Sequence, residues 1–220
     1  MSSGKVDVAK QTLSRERVLE AGLGLADEIG IEAFTIRKLA AELDVGAMSI
    51  YHHVPSKDEI VDGMVDLVFA EIALPPEDQP WAEAIRARCR SAREVLVRHP
   101  WAAPLMESRM RPGPANLRHH DAVIGCLRRG GLSWELTGRA YAILDAFVYG
   151  FSFQAASLPA GDAEGFADVA ATMPAFDDHP HLAALTAEHV LQPGYDFGDA
   201  FEFGLDLILD GLQRAASAEA

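Results

Sequence analysis

The segment "FTIRKLAAELDVGAMSIYHHVPSK", residues 34–57, carries the most specific structural pattern in this chain. Its apolar residues recur every three to four positions, which indicates short amphipathic helices. We predict helices over 36–43 and 47–53, joined by a tight turn at Asp44. Asp tolerates the left-handed geometry of such turns better than most residues. Two helices with this spacing form a helix-turn-helix, a motif whose second helix can enter the major groove of DNA.

The outer residues of this motif favour contact with DNA. Ile50 and Val54 turn inward in the second helix, and the side chains left outside are mostly short or polar. A helix in a major groove needs small side chains for close approach and polar groups that reach bases or phosphates. Three cations flank the helix, and helix N-termini nearby can bind phosphate. The residues predicted to contact DNA are Thr35, Arg37, Lys38, Ala47, Met48, Ser49, Tyr51, His52, His53 and Lys57.

The charge of the chain is unevenly distributed. Net charge is −14, and nucleic-acid-binding proteins usually carry a basic surface, so the whole chain argues against such a partner. Residues 1–57, however, hold 7 Lys and Arg against 8 Asp and Glu. Residues 58–80 hold none against 7, and residues 81–220 hold 12 against 18. The first segment is therefore nearly neutral and permits contact with a polyanion.

The rest of the chain consists of helical patterns separated by clusters of Pro, Gly and Asp. No stretch alternates with period two, so we expect an all-α fold. The further helices predicted are 14–30, 57–73, 80–98, 101–109, 115–130, 133–157, 180–191 and 197–215, with Ser14, Thr35, Ser56 and Ser133 as N-caps. The clusters at 158–165 and 173–180 are interpreted as loops, with no helix between them.

The Pro-rich stretch "LPPEDQP", residues 74–80, marks the expected domain boundary. Residues 1–57 are expected to form an N-terminal three-helix DNA-binding domain that contains the helix-turn-helix. Residues 58–73 would form a connecting helix, and 74–220 a C-terminal helical domain. Because the linker is short, the connecting helix can act as a lever between the two domains.

Composition and cysteine usage are those of a soluble globular protein, with 49% apolar and 24% charged residues. Cys89 and Cys126 lack metal-binding spacing and are interpreted as reduced and structural. The histidine pairs lack converging acid or thiol partners, so we expect no metal and no cofactor. The opening "MSSGKVDVAKQTLSRERV" lacks the apolar run of a signal peptide, and no window approaches the roughly 20 apolar residues of a membrane span. A cytoplasmic protein without membrane contact is expected.

The motif of residues 34–64 resembles the N-terminal domain of the TetR family of bacterial transcriptional regulators. That motif runs Thr-x-x-x-[Ile/Leu]-Ala, Gly-Val, then [Ser/Thr]-[Ile/Leu]-Tyr-x-[His/Tyr]-[Phe/Val]-x-[Ser/Asn]-Lys. The matching residues are Thr35, Leu39, Ala40, Val45, Ser49, Ile50, Tyr51, His53, Val54, Ser56 and Lys57. Asp44 departs from it where Gly is common, and Gly46 departs where Ser often caps the second helix.

Residues 111–151 and 201–213 resemble the ligand-binding and dimerisation domain of the tetracycline repressor. The resemblance implies a homodimer formed by the helices near 133–157 and 197–215. The last helix supports this, since its apolar residues cover so wide an arc that it must bury more than one face. These residues are Phe197, Phe201, Phe203, Leu205, Leu207, Ile208 and Leu212.

The ligand of the tetracycline repressor does not carry over. Where that repressor has two histidines and an asparagine, this sequence has Ala73, Arg88 and Glu107, and Arg111 with Pro112 are the matching residues at that end of the site. We therefore expect an unknown small-molecule effector other than tetracycline. The residues predicted to bind it are Arg88, Glu107, Arg111, Phe147, Phe151 and Gln154.

The resemblance implies a ligand-responsive homodimeric regulator, expected to be a repressor that binds a palindromic double-stranded DNA operator and leaves it when the effector binds. The alternative is an all-helical small-molecule-binding protein or enzyme without DNA binding. A di-iron oxidase needs Glu-x-x-His pairs, and the sequence contains none. Gly-x-Ser-x-Gly, His-Glu-x-x-His and Gly-x-x-x-x-Gly-Lys are absent as well, so no catalytic residues are predicted.

Overall fold

The computed structural model describes residues 12–108, 111–158, 161–172 and 178–219. Within these ranges the secondary structure is helical apart from one isolated bridge between Asp162 and Asp196, which confirms the all-α prediction. The helices are α1 Arg15–Ile29, α2 Ile36–Glu42, α3 Ala47–Tyr51, α4 Lys57–Glu71, α5 Trp81–Arg98, α6 Ala103–Ser108, α7 Pro114–Arg129, α8 Trp134–Ala156, α9 Ala163–Thr172, α10 Pro180–Leu185 and α11 Asp199–Glu219. A π-helical turn, Thr186–Val190, follows α10.

Four of these helices begin at the N-caps that the sequence predicts. The side-chain oxygens of Ser14, Thr35, Ser56 and Ser133 accept hydrogen bonds from the amides three residues later, over 3.1 to 3.3 Å. Each cap satisfies an amide that has no partner inside the helix. Local sequence therefore fixes where α1, α2, α4 and α8 start.

Helix α4 joins the N-terminal helices to the C-terminal ones. It packs on α1 at one end and on α7 further along, and it is buried on several faces. Asp66 of α4 accepts hydrogen bonds from the amides of Ala115 (3.3 Å) and Asn116 (2.9 Å) in the first turn of α7. Helices α4 and α7 are thus tied at the N-terminus of α7, where the helix dipole favours a carboxylate.

Helices α5, α7 and α8 pack on one another, and α11 lies against α8 and α5. The inner stripe of α11, formed by Phe201, Leu205, Leu209 and Leu212, is buried. None of the helices in the described ranges is long and apolar enough to cross a membrane.

The segment after α8 differs from the prediction. Helix α9 was not predicted because its start lies in a Gly-rich cluster, but there Asp162 acts as a cap: its side chain accepts from the Gly165 amide at 2.9 Å. The helix predicted over 180–191 is split into α10 and the π-helical turn. The predicted loop at 173–180 lies mostly outside the described residues.

Helices α1 and α4 approach closely where Gly63 faces Leu19. A Cβ added at Gly63 would lie 2.7 Å from the Leu19 methyl groups, whereas one added at Gly24 of α1 would contact nothing within 4 Å. Both glycines are in helices, so replacement by Ala gives the same gain in helix propensity, about 1 kcal/mol. The two sites therefore differ only in packing.

We expect Gly63→Ala to be less stable than Gly24→Ala by about 1–3 kcal/mol, the usual cost of overpacking. Chemical denaturation of both variants and the wild type measures the difference. Equal free energies of unfolding would show that the α1–α4 contact does not need a glycine.

Candidate nucleic-acid interface and ligand pocket

The turn between α2 and α3 has the predicted left-handed residue. Asp44 adopts φ 51°, and in the described residues it is the one non-glycine position with positive φ. The Val45 amide then donates to the Ala40 carbonyl at 3.0 Å, which closes the turn. Ile50 and Val54 are fully buried, so the inner side of the helix-turn-helix is the predicted one.

Helix α3 is shorter than predicted. It begins after Gly46, an N-cap with no side-chain hydrogen bond, and ends at Tyr51. His52 and His53 lie in the following turn, where the His53 and Val54 amides still donate to the Ile50 carbonyl at 2.9 and 3.0 Å.

The outer surface of the motif is accessible. Met48 projects furthest, with 71% of its surface exposed. Thr35, Arg37, Lys38, Met48, Tyr51, His52, His53 and Lys57 are exposed, and Ala47 and Ser49 are half-buried. All ten predicted residues are thus on one structural unit, and their contact with DNA stays a prediction.

Two of the flanking cations also have structural partners. Lys57 Nζ donates to the Phe34 carbonyl at 2.9 Å and lies 5.7 Å from the centre of the Phe34 ring. Lys38 Nζ donates to the Ala33 carbonyl at 3.0 Å. An ammonium group has three N–H donors, so both remain able to contact a phosphate. Arg37 is the flanking cation for which the structure gives no such tie.

A polar cluster fills the centre of the C-terminal helices. The guanidinium of Arg88 on α5 is 1% exposed and donates to Asp145 Oδ1 at 2.7 Å. It also donates to His119 Nε2 at 2.8 and 2.9 Å and to the Tyr149 hydroxyl at 3.3 Å. Phe69, near the end of α4, packs its ring 5.6 Å from the ring of His119. The cluster therefore connects α4 to α5, α7 and α8.

The charge state of this cluster follows from its burial. Burial, with the neighbouring Arg88, lowers the pKa of His119 to about 3, so His119 is neutral. Burial opposes the charge of Arg88, but Tyr149 and Asp145 outweigh it and raise the pKa of Arg88. A neutral His119 that accepts at Nε2 carries its proton on Nδ1, and this atom is buried without a hydrogen-bond partner.

The structure does not bring all six predicted effector residues together. Arg88 is in the buried cluster, but the ring of Phe147 lies 5.3 Å from that of Phe201 in α11. The ring of Phe151 lies 4.9 Å from that of Phe197, just before α11. Positions two apart on a helix point in nearly opposite directions, so Phe147 cannot share the face of Asp145.

Two of the other three predicted residues lie apart from this cluster. Gln154 and Arg111 are exposed, and Arg111 borders a small cavity that Asp62 and Met106 also line. Glu107 is in α6, and its side chain is outside the described residues.

The prediction omitted the residues that complete the polar cluster. Asp145, Tyr149 and His119 surround Arg88, while His120 Nδ1 lies 2.7 Å from the Tyr141 hydroxyl. Asp145 was detectable in principle, since it is the one acid in the apolar run "YAILDAFVYGF". A buried carboxylate requires a cationic partner, and "IRARCRSAREVL" supplies four arginines that sequence alone does not distinguish.

An all-helical chain with an accessible helix-turn-helix and a separate helical domain built around a buried polar cluster has the architecture of a DNA-binding transcriptional regulator. Residues 18–64 match the model "Bacterial regulatory proteins, tetR family", and residues 74–216 match "Tetracyclin repressor-like, C-terminal domain". The chain therefore belongs to the TetR family of bacterial regulatory proteins, which confirms the resemblance in both halves.

Several known regulators are similar along nearly the whole chain. The HTH-type transcriptional repressor DrrR1 of Streptomyces coeruleorubidus is 33% identical over 216 residues, 93% of this chain and 78% of that protein. The class A tetracycline repressor from transposon 1721 in Escherichia coli is 28% identical, and the match covers 92% of this chain and 91% of that repressor. Apo ActR from Streptomyces coelicolor has a TM-score of 0.77 at 31% identity, and the match covers 94% of this chain and 98% of ActR. ActR in complex with actinorhodin has a TM-score of 0.76 at 32% identity, and the match covers 93% of this chain and 99% of ActR.

We expect Asp145→Ala to lower the free energy of unfolding by about 3–5 kcal/mol, because it leaves the Arg88 charge buried without a counterion. The double variant Arg88→Met/Asp145→Leu removes both charges and should be more stable than Asp145→Ala. Urea denaturation of the two variants and the wild type tests this. A double variant no more stable than Asp145→Ala would contradict the assignment of an ion pair.

Proposed function

We propose that this chain is a homodimeric transcriptional repressor that binds a palindromic operator through α3 and is released from it by a small-molecule effector. The main support is the accessible outer surface of α2 and α3, held on a fully buried inner stripe. Short and polar side chains on a rigid helix suit base and phosphate contacts. Such a regulator would act in the cytoplasm, where bacterial DNA is.

An exposed apolar face on α8 and α11 supports the homodimer. Ile143 and Phe153 of α8 are 49% and 54% exposed, and Phe203 and Leu207 of α11 are 67% and 57% exposed. Large apolar side chains gathered on adjacent helices mark an interaction surface. A two-fold axis through this surface would pair α8 and α11 with the same helices of a second copy and make a four-helix bundle.

Two-fold symmetry would give the dimer two α3 helices. Helix-turn-helix dimers place them in successive major grooves, about 34 Å apart, on a palindromic site. The acidic remainder of the chain weakens sequence-independent binding, since DNA repels it. Binding to DNA would therefore depend on the near-neutral N-terminal segment and on correct spacing of the two helices.

A small molecule in the C-terminal domain would control that spacing. ActR binds actinorhodin in a solved structure, so a similar chain accommodates a small-molecule ligand. In this chain the polar cluster around Arg88 contacts Phe69 of α4. A ligand that rearranges the cluster would shift α4, and a coupling of about 1–3 kcal/mol would change operator affinity by about 5- to 150-fold.

Selection of bound duplexes from a random pool tests DNA binding, and recovery of a palindrome is expected. On the selected duplex, Arg37→Ala should weaken binding and reduce the salt slope of log affinity by about 1. Arg118→Ala, on the exposed face of α7, is the matched control and should leave both unchanged.

Lys57→Ala should weaken DNA binding and also lower the free energy of unfolding, because it loses the hydrogen bond to Phe34.

A pool that yields no duplex at low salt would refute the proposal and favour a small-molecule-binding protein without DNA.

Leu207→Glu should convert the dimer to a monomer, since it buries a charge in the proposed interface. Leu117→Glu on α7 is the matched control, because both leucines are 57% exposed. Sedimentation of the two variants gives their mass in solution. A dimeric Leu207→Glu protein, or a monomeric wild type, would exclude this interface.

A further inference from the structure

A second polar cluster joins the DNA-binding domain to the C-terminal helices. His99 follows the last turn of α5, where its amide donates to the Val95 carbonyl at 3.0 Å, and the residue is buried. Its ring lies between two carboxylates that belong to other helices. Nδ1 is 2.8 Å from Asp27 Oδ1 of α1, and Nε2 is 3.2 Å from both oxygens of Glu71 at the end of α4.

The two contacts restrict which His99 ring nitrogens can donate hydrogen bonds. A carboxylate accepts hydrogen bonds and has none to donate, and a neutral imidazole has a single N–H. Both contacts are hydrogen bonds only when both ring nitrogens carry protons. These contacts are the ones that an imidazolium shared between Asp27 and Glu71 would make.

The neighbouring groups support this arrangement. Arg98 donates to Glu71 at 2.6 Å, and Trp101 Nε1 donates to Asp27 Oδ1 at 2.7 Å. Partial burial opposes the charge of Glu71, but hydrogen bonds from Arg98 and His99 outweigh it and lower the pKa of Glu71. The ionisable groups around His99 are thus Asp27 on α1, Glu71 on α4 and Arg98 on α5 itself.

We propose that His99, as an imidazolium, is a positioning residue that holds the DNA-binding domain in its DNA-competent orientation and makes operator affinity depend on pH. The inference rests on the proposed function, because it assigns this arrangement of helices to the operator-bound state. Asp27 and Glu71 are on the two helices that carry the helix-turn-helix, whereas His99, Arg98 and Trp101 belong to the C-terminal domain. Loss of the shared proton would release one of the two carboxylates.

Two protonation events limit the strength of this junction. Because the pKa of Glu71 is lowered, its ion pairs are present above that pKa and are lost as the pH falls through it. Imidazoles in general give up their second ring proton between about pH 5 and pH 8, and a ring without it can donate to only one of the two carboxylates. The junction is therefore strongest in weakly acidic solution, and operator affinity should fall towards alkaline pH.

The test compares operator binding at pH 6 and pH 8 for wild type, His99→Gln and His181→Gln, on the duplex selected by the wild type. Wild type and His181→Gln should lose about 5-fold more affinity over this interval than His99→Gln, in line with a weak interdomain coupling. His52 and His53 are common to all three proteins, so their contribution cancels in the comparison. Equal pH profiles would overturn the proposal.

Asp27→Asn is a second variant should His99→Gln fail to fold. Its amide oxygen can still accept from Trp101, but its charge is gone, so the pH dependence should shrink as it does in His99→Gln. An unchanged pH dependence in Asp27→Asn would contradict the shared imidazolium.

A measurement without DNA separates this proposal from the proposed function. In ¹⁵N-labelled full-length protein at pH 6, both ring nitrogens of His99 should report a protonated imidazolium, and the signal should change in Asp27→Asn. A neutral ring would refute the proposal. If the wild type selects no duplex while the ring is protonated, the repressor function fails and the ion-paired junction stands.

Discussion

Helix α4 belongs to two packed layers at once, and the rest of the structure depends on that constraint. Its N-terminal half packs against α1 at Gly63, and its C-terminal half packs Phe69 on α7. Asp66 fixes the same helix to the first turn of α7. Because interiors are close-packed, a shift of α4 cannot be absorbed within one layer. Rearrangement near Arg88 must therefore move the helix-turn-helix or cost packing energy.

The core of the C-terminal helices contains a buried ion pair among its apolar contacts. A buried ion pair often adds little stability relative to apolar residues of similar size. Arg88 and Asp145 are better understood through geometry, because their directional hydrogen bonds fix α5, α7 and α8 relative to one another. These hydrogen bonds therefore favour one defined arrangement of the three helices.

Local signals in the sequence were sufficient to predict the helix-turn-helix but insufficient to predict the polar cluster around Arg88. The cap at Thr35, the left-handed Asp44 and the inward Ile50 each depend on residues within one turn, so they are predictable. The partner of Arg88 is 57 positions away, and its choice depends on how three helices dock. Helix α9 was missed because Asp162 has the composition of a loop and the function of a cap.

The unpaired Nδ1 of His119 has an energetic consequence. A buried donor that has lost water and gained no acceptor destabilises the folded protein by about 1–3 kcal/mol. The hydrogen bonds that Arg88 donates to the other ring nitrogen and to Asp145 must offset that loss for the cluster to remain buried.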